Sequence, residues 1–406
     1  MTETLAPPAW MTAAPTQAVI AALEAAGGAD CARFVGGCVR DTLLSRPVVD
    51  IDIATRLTPP ETIAALEAAG LKAVPTGVEH GTVTAIADHR PFEITTLRRD
   101  VETDGRRAVV AFTTDWAEDA ARRDFRLNAL YLDADGVVHD PVGGGIEDAH
   151  AGRIVFVGDA QTRIREDYLR VLRFFRFLAW YGQGAPDAAA VAACAALKDG
   201  LTSLSGERVS KELLKLLGAP DPRPAVRLMA DTGVLAVLLP WPLDLDRFEA
   251  MTRIEDEALP RLAALMPDDP AAALALAQRL RLSNPLRDRL VTALGPPSLS
   301  ADLSPVQARQ ALYRLGAQGF RDRLWLAWAA RGGPEQPWRD LLGLAQNWTA
   351  PVFPLGGADA KAAGFSPGPA MGEALKAVEA WWVAHDFPDD RAMLKARLTA
   401  LGDERA

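Results

Sequence analysis

The chain of 406 residues is poor in the side chains from which disulfide and soft-metal sites are built. Its three cysteines, Cys31, Cys38 and Cys194, are an odd and scattered set with no CxxC pair, which argues against a disulfide framework and a zinc site. Histidine is scarce as well, at 80, 89, 139, 150 and 385, and the C-terminal half, with His385 alone, cannot assemble a histidine-rich metal hydrolase centre. No apolar run approaches the ~20 residues of a bilayer span, so no transmembrane helix is expected. The N-terminus, MTETLAPPAWMTAAPTQ, has an acidic residue and no basic segment leading into a hydrophobic one. It does not read as a secretory signal, and a cytoplasmic, reducing location is expected. A basic excess is missing too: the net charge of −9 excludes coating nucleic acid through the overall field. A local basic groove is still allowed, because phosphate contacts act over roughly 8–10 Å.

What is there is an ordinary folded composition, 49% hydrophobic and 24% charged. At roughly 100–200 residues per domain the length predicts about two to four folding units. From about 30 to 157 short β-rich runs alternate with turns: residues 31–35, 48–54, 82–87, 91–96, 129–133 and 153–158 read as strands. Beyond about 160, Ala/Leu/Arg patterns at helical spacing take over, with Pro/Gly breaks near 220 and 300. The fold class is α+β, a small mixed or antiparallel sheet followed by an all-helical remainder. Trp325 and Trp328, three residues apart on one helix, read as core rather than as a base-stacking platform.

Residues 34–55, FVGGCVRDTLLSRPVVDIDIAT, carry the most chemistry. A strand runs into Gly36-Gly37 and helix-forming residues follow. Such a turn frees backbone amides for phosphate oxygens, and Arg40 on the first turn reaches the same region. Asp50 and Asp52, at i and i+2 of an expected strand, point to one side while Ile51 and Ile53 point into the core. Two neighbouring carboxylates repel unless cations sit between them, which suits a two-Mg²⁺ site. Glu93, on the strand PFEITT, is either a third carboxylate or a solvent-facing strand residue; alternation does not decide between them.

Residues 163–176, RIREDYLRVLRFFR, hold five arginines against one Glu and one Asp. Read as one helix, Tyr168, Val171, Leu172, Phe175 and Leu178 face the core, opposite Glu166, Asp167, Arg170, Arg173 and Arg176. Leu169, Phe174 and Phe177 fall among the charges. Asp167 with Arg170 suits a ring edge that offers an amino donor beside a ring-nitrogen acceptor, as adenine and cytosine do. Guanine and uracil present N–H there and would meet the arginine donor to donor, at a cost on the order of 1–3 kcal/mol.

In order along the chain, GGCVRD (36–41), DID (50–52), EHGTVT (79–84), FEITTLRRD (92–100), RRDFRLNAL (122–130), DPVGG (140–144), EDYLRVLRFFR (166–176) and GERVSKELLKLL (206–217) resemble the tRNA nucleotidyltransferases that build the 3′ CCA end, in the bacterial and eukaryotic class of the polymerase-β-like superfamily. The resemblance spans roughly residues 30–240. It implies an extension over 1–29, a nucleotidyltransferase head over 30–158, a helical neck over 159–220, a body over 221–300 and a tail over 301–406. It also implies catalysis at Asp50, Asp52 and Glu93, with two Mg²⁺ ions on Asp50 and Asp52. The triphosphate would lie at Gly36, Gly37 and Arg40, the incoming nucleotide would be contacted near its ribose by Arg123 and Asp124, and Asn128 would be a further nucleotide-binding residue. The incoming CTP or ATP would be contacted by Glu166, Asp167, Arg170, Arg173 and Arg176. The substrate would be the tRNA 3′ end, with no membrane and no partner protein evident. Residues 100–112 resemble the loop used when such enzymes switch from C to A addition. Arg126-Leu127 replaces a usual Thr-Ile pair and Tyr168 a usual proline, both expected to alter packing rather than ligand contacts. Rival readings are a poly(A) polymerase, a partial CC- or A-adding enzyme, and a catalytically silent RNA-binding protein.

Overall fold

The computed structural model describes residues 2–104, 107–296 and 298–403, with side chains outside 100–110. Two compact units divide the chain, residues 1–240 and 241–406. Among the described residues no helix is long and apolar enough to cross a membrane.

The first unit is built on an eight-stranded mixed sheet, larger than the small sheet read from the sequence. Its strands are β1 (Thr2–Thr4), β2 (Ala32–Val35), β3 (Asp52–Thr55), β4 (Lys72–Gly77), β5 (Thr82–Ala87) and β6 (Arg90–Thr96), with β9 (Tyr131–Leu132) and β10 (Val137–His139). The order is β1-β10-β9-β2-β3-β6-β5-β4. Strands β7 (Arg98–Asp104) and β8 (Arg107–Phe112) form a separate hairpin. The switch loop expected at 100–112 falls on this hairpin, of which residues 105–106 and the side chains of 100–110 lie outside the described residues. All pairs in the large sheet are antiparallel except β3 with β6. That exception sets Asp52 directly opposite Glu93.

Alternation decides which face is buried. Val83, Ala85, Phe92 and Ile94 are buried, with the helices Ala14–Gly27 and Pro59–Ala68 packed on β5, while Glu93 is exposed on the other face. A Thr58–Glu61 capping box and Pro59 at the first position start the second of these helices. The β5–β6 hairpin turns on Asp88 and His89, both at positive φ (47° and 59°), the conformation that matches strand twist in a two-residue turn.

Four sequence expectations change here. The strand expected over 48–54 begins only at Asp52, because Pro47 lacks an N–H and Val49 is 88% exposed. Ile51 is half-buried rather than core, although Ile53 is fully buried. The strand expected at 153–158 is one bridge between Phe125 and Phe156. Its apolar side chains go into an aromatic cluster instead, with Phe156 4.8 Å from Phe125 and 6.0 Å from Phe174. Residues 163–176 are not one helix: Ala160–Glu166 ends at Asp167, which is extended (φ −153°, ψ 106°), and a second helix runs Leu169–Tyr181. The arc drawn through a continuous helix therefore fails for Leu169, Phe174 and Phe177, all buried along with Val171, Leu172 and Phe175.

Both family departures are accommodated by packing. Arg126 pairs with the fully buried Asp148 (Nε–O 2.7 Å), which Arg153 also reaches. The Tyr168 ring lies against Gly200, where an added Cβ would come within 2.0 Å of it. Gly200→Ala is expected to cost about 1–3 kcal/mol in urea unfolding, and Tyr168→Ala in the same chain should restore most of the loss. An unchanged midpoint for the single variant would contradict this contact.

The described part of the second unit contains helices and no strand. Its longest helix, Pro305–Arg331, is interrupted at Gly316 (φ 69°, ψ 166°). One core gathers Phe320, Leu324 and Trp338, and another gathers Val378, Trp382 and Leu394.

Candidate active site

The glycine turn lies where β2 ends at Val35 and the chain passes directly into a helix. Gly36 has φ 73° and ψ −120°, a backbone state that only glycine adopts without strain, and the helix Gly37–Leu43 follows. This helix is locked to the carboxylate strand by Cys38, whose thiol donates to the carbonyls of Val35 (3.3 Å) and Asp52 (3.7 Å). Burial pushes that thiol up to about 12, so it stays a neutral donor.

Asp52 is half-buried, while Asp50 and Glu93 are exposed. Burial, then the charges of Glu93 and Asp50, raise the Asp52 carboxyl to about 6, against a smaller opposing pull from Arg123. Three carboxylates thus share one site with one nearby guanidinium, and the site lacks positive charge. Among the described residues no three acidic, histidine or cysteine side chains close around a metal-sized space. Such an open set of hard oxygen donors fits Mg²⁺, which commonly takes one or two carboxylates and leaves its other positions to water and substrate phosphates.

Arg123 is aimed by groups the sequence reading did not name. Its Nη2 donates to Asp119 (2.9 Å) and its Nε approaches the Tyr131 hydroxyl (3.3 Å), which itself donates to Asp119 (2.7 Å). Burial raises the Asp119 carboxyl, but Arg123, Arg122 and Tyr131 outweigh it and hold the group at about 2. Arg123 Nη1 is left beside Gly36, 3.7 Å from where a Cβ would sit. The spacing of Asp119 to Arg122 and Arg123, three and four residues, was the available signal.

The other expected ligands are joined in one buried network. Arg40 donates to Asp41 (3.0 Å), to Asn128 Oδ1 (2.7 Å) and to the Tyr181 hydroxyl (2.7 Å), and its guanidinium lies 4.1 Å from the Tyr181 ring centre. Asn128 donates on to Asp124 (3.2 Å), which also accepts from Arg173 Nε (2.7 Å). Burial raises the Asp124 carboxyl, yet Arg173 and the hydrogen bonds bring it below the usual range. Arg176 pairs with the buried Glu212 (2.7 Å) on the helix Gly206–Leu217. Arg40, Asp124, Asn128, Arg173 and Arg176 are therefore already partnered, and the network fixes the glycine turn against the arginine-rich helix.

Asp167 and Arg170 are each held by a third residue rather than by one another. Asp167 accepts from the Leu169 amide (3.1 Å) and from Arg208 (2.7 Å), a residue inside a recognised motif to which no role had been given. Arg170 Nη1 donates to Glu166 (2.5 Å) and to the Arg163 carbonyl (2.8 Å), and Nη2 to the Arg122 carbonyl (3.2 Å). The extended backbone at Asp167 is what separates its side chain from the helix below. A carboxylate has about four acceptor sites and a guanidinium five donors, so both groups keep capacity for a ligand edge.

The chain is similar to proteins already known. A family model described as "Poly A polymerase head domain" matches residues 32–155, and one described as "Probable RNA and SrmB- binding site of polymerase A" matches residues 186–242. The chain is 34% identical to the mitochondrial CCA tRNA nucleotidyltransferase 1 of Homo sapiens over 369 residues, covering 86% of this chain and 82% of that protein. It is 40% identical to the CCA-adding enzyme of Geobacillus stearothermophilus over 212 residues, 51% of this chain and 50% of the other. The crystal structure of the Bacillus stearothermophilus CCA-adding enzyme in complex with CTP superposes with a TM-score of 0.76 at 28% identity, covering 97% of this chain and 99% of that one.

Proposed function

Because the chain belongs to the CCA-adding tRNA nucleotidyltransferases of the polymerase-β-like superfamily, and so is an enzyme acting on tRNA 3′ ends, we propose that it adds CMP, CMP and AMP in turn from CTP and ATP without a template. The observation that carries the reading is the register of β3 with β6. It brings Asp52 opposite Glu93, beside Asp50, next to a glycine turn tied to the same strand through Cys38. The terminal hydroxyl of the RNA attacks the α-phosphate in line and pyrophosphate leaves.

Asp50 and Asp52 would hold two Mg²⁺ ions, with Glu93 alongside, and such ions would supply charge neutralisation for the triphosphate and a lowered pKa for the attacking hydroxyl. The chain's own residues do the positioning. Gly36 and Gly37 let phosphate oxygens approach the backbone. Arg123, held in place by Asp119 and Tyr131, places positive charge beside them. Asp167 accepts from the amino group of cytosine or adenine and Arg170 donates to the ring nitrogen, with Arg208 and Glu166 holding the pair in position. Arg40, Asp124, Asn128, Arg173 and Arg176 act through the network that aligns turn and helix. Preorganised charge and orientation of this kind carry most of phosphoryl-transfer catalysis.

Product sequencing on tRNA lacking its 3′ end, with each nucleotide and with mixtures, is the direct test. Two C residues and one A, then arrest, is expected. A run of A assigns a poly(A) polymerase, arrest after two C or addition of a single A assigns a partial enzyme, and no extension assigns a silent scaffold.

A further inference from the structure

Within the second unit lies a cleft of about 480 Å³, bordered by Arg253, Trp325, Trp328, Glu335, Arg339 and Leu342 among others. That volume falls in the ~300–1,000 Å³ range of small-ligand pockets. Both indoles serve the core as the sequence led one to expect: Trp325 is buried and Trp328 packs against the cluster around Phe320. Trp328 nevertheless stays only partly buried. Its ring lies parallel to that of Trp338, centroids 6.3 Å apart and planes within 8°. Trp338 is buried and anchored by its Nε1–H on the Gly332 carbonyl (3.1 Å). The cleft wall is thus a rigid aromatic surface that needs no reordering to receive a planar partner.

A core requires the indoles but not the two guanidiniums beside them. Arg253 is exposed and makes no hydrogen bond or ion pair among the described residues. Arg339 is engaged only by Glu335, one helical turn away, with both side chains more than half exposed (63% and 55%). Exposed pairs of that kind contribute little and yield readily to a stronger anion. In a chain of net charge −9, two loosely engaged arginines at an aromatic wall match the chemistry of a nucleotide, a π-face joined to a phosphate.

We propose that this cleft takes one unstacked nucleotide of an RNA strand, its base against Trp328 and its phosphate on Arg253 and Arg339. The choice of an RNA strand over a free nucleotide rests on the tRNA-extending function above; the aromatic and guanidinium chemistry does not. The test is binding of 5′-labelled tRNA lacking its 3′ end, followed by fluorescence anisotropy without nucleotides or divalent ions. Arg253→Ala with Arg339→Ala should weaken binding about tenfold at moderate salt and flatten the dependence of log Kd on log salt by roughly one to one and a half. Trp328→Leu should weaken binding several-fold with the salt slope unchanged, since stacking displaces no counterions. Thermal unfolding of each variant separates a local effect from loss of the fold. Wild-type affinity and slope in the folded arginine double variant overturn the proposal. So does tryptophan quenching that saturates with AMP or CMP while those nucleotides leave tRNA affinity unaltered, which marks a free-nucleotide site. Turnover plays no part in the measurement, so a failure of nucleotide addition would strike the proposed function and leave this site standing, and the reverse holds equally.

Discussion

Asp52→Asn is expected to lower CMP incorporation into tRNA by at least about 10³-fold, and in EDTA at pH 8 to make the protein more stable than the parent. The two effects have one origin. The Asp52 carboxyl binds its proton more tightly in the fold than in the unfolded chain, where 3.8 is the ordinary value, because burial and the neighbouring Glu93 and Asp50 raise it to about 6. A raised acid destabilises the fold once it ionises: the cost is absent below about pH 4, grows between about 4 and 6, and is fully present above that window. The neutral amide removes it, a gain on the order of 1–3 kcal/mol at pH 8 that vanishes near pH 4. The same amide withdraws an anionic oxygen from the site that, on the proposed function, would face a triphosphate, and losses of transition-state charge stabilisation from a single group reach several kcal/mol. Activity assays with saturating Mg²⁺, paired with urea unfolding in EDTA at the two pH values, check both halves. A variant that extends tRNA at near the parental rate would refute the catalytic assignment. A variant less stable than the parent at pH 8 would refute the account of why Asp52 is held with so little countercharge.

Arg170→Ala should loosen nucleotide choice more than it slows the reaction. The guanidinium is oriented by Glu166 and by the carbonyls of Arg163 and Arg122, so its remaining donors are aimed before a nucleotide arrives. On the proposed function a ring nitrogen of cytosine or adenine would accept from it, whereas the N–H of uracil or guanine would leave two donors facing each other. Removing the arginine abolishes that penalty, and the preference for CTP over UTP, expressed as the ratio of kcat/KM values, should fall about 10- to 100-fold. Retention of the full preference would move base reading elsewhere. Glu166→Gln offers a finer comparison: the anchor survives as a neutral hydrogen bond, and a smaller loss of preference is expected than for Arg170→Ala.

Much of the fold was legible because it is written in short periods. The alternation of β5 and β6, the glycine reversal after β2 and the helical texture beyond 160 each need only a few neighbouring residues to be read. The misreadings share a different cause. The segment at 153–158 has strand-forming residues, but its side chains are taken by Phe125 and Phe174 and no second strand comes alongside. The arginine-rich stretch has the composition of one helix, yet its backbone turns extended at Asp167, where the carboxylate caps the Leu169 amide and accepts from Arg208. The distant partners, Phe125 and Phe174 in one case and Arg208 in the other, all lie outside a window of ten residues.

The sequence alone determined the chemical inventory: adjacent carboxylates, a glycine turn, clustered guanidiniums, and the order that ties them to a nucleotide-transferring family. Those features are local, set by spacing along one strand or one turn. Which groups meet was decided only by the tertiary structure. Asp52 faces Glu93 because β3 and β6 run parallel, Arg40 finds Asn128 across 88 residues, Arg173 finds Asp124 across 49, and Arg208 finds Asp167 across 41. A charged side chain has many partners of suitable sign in the chain, and nothing in its own neighbourhood selects among them. That selection comes from burial: once the sheet and the helices exclude water, each ionic group must be satisfied by whichever partner the packing brings within reach.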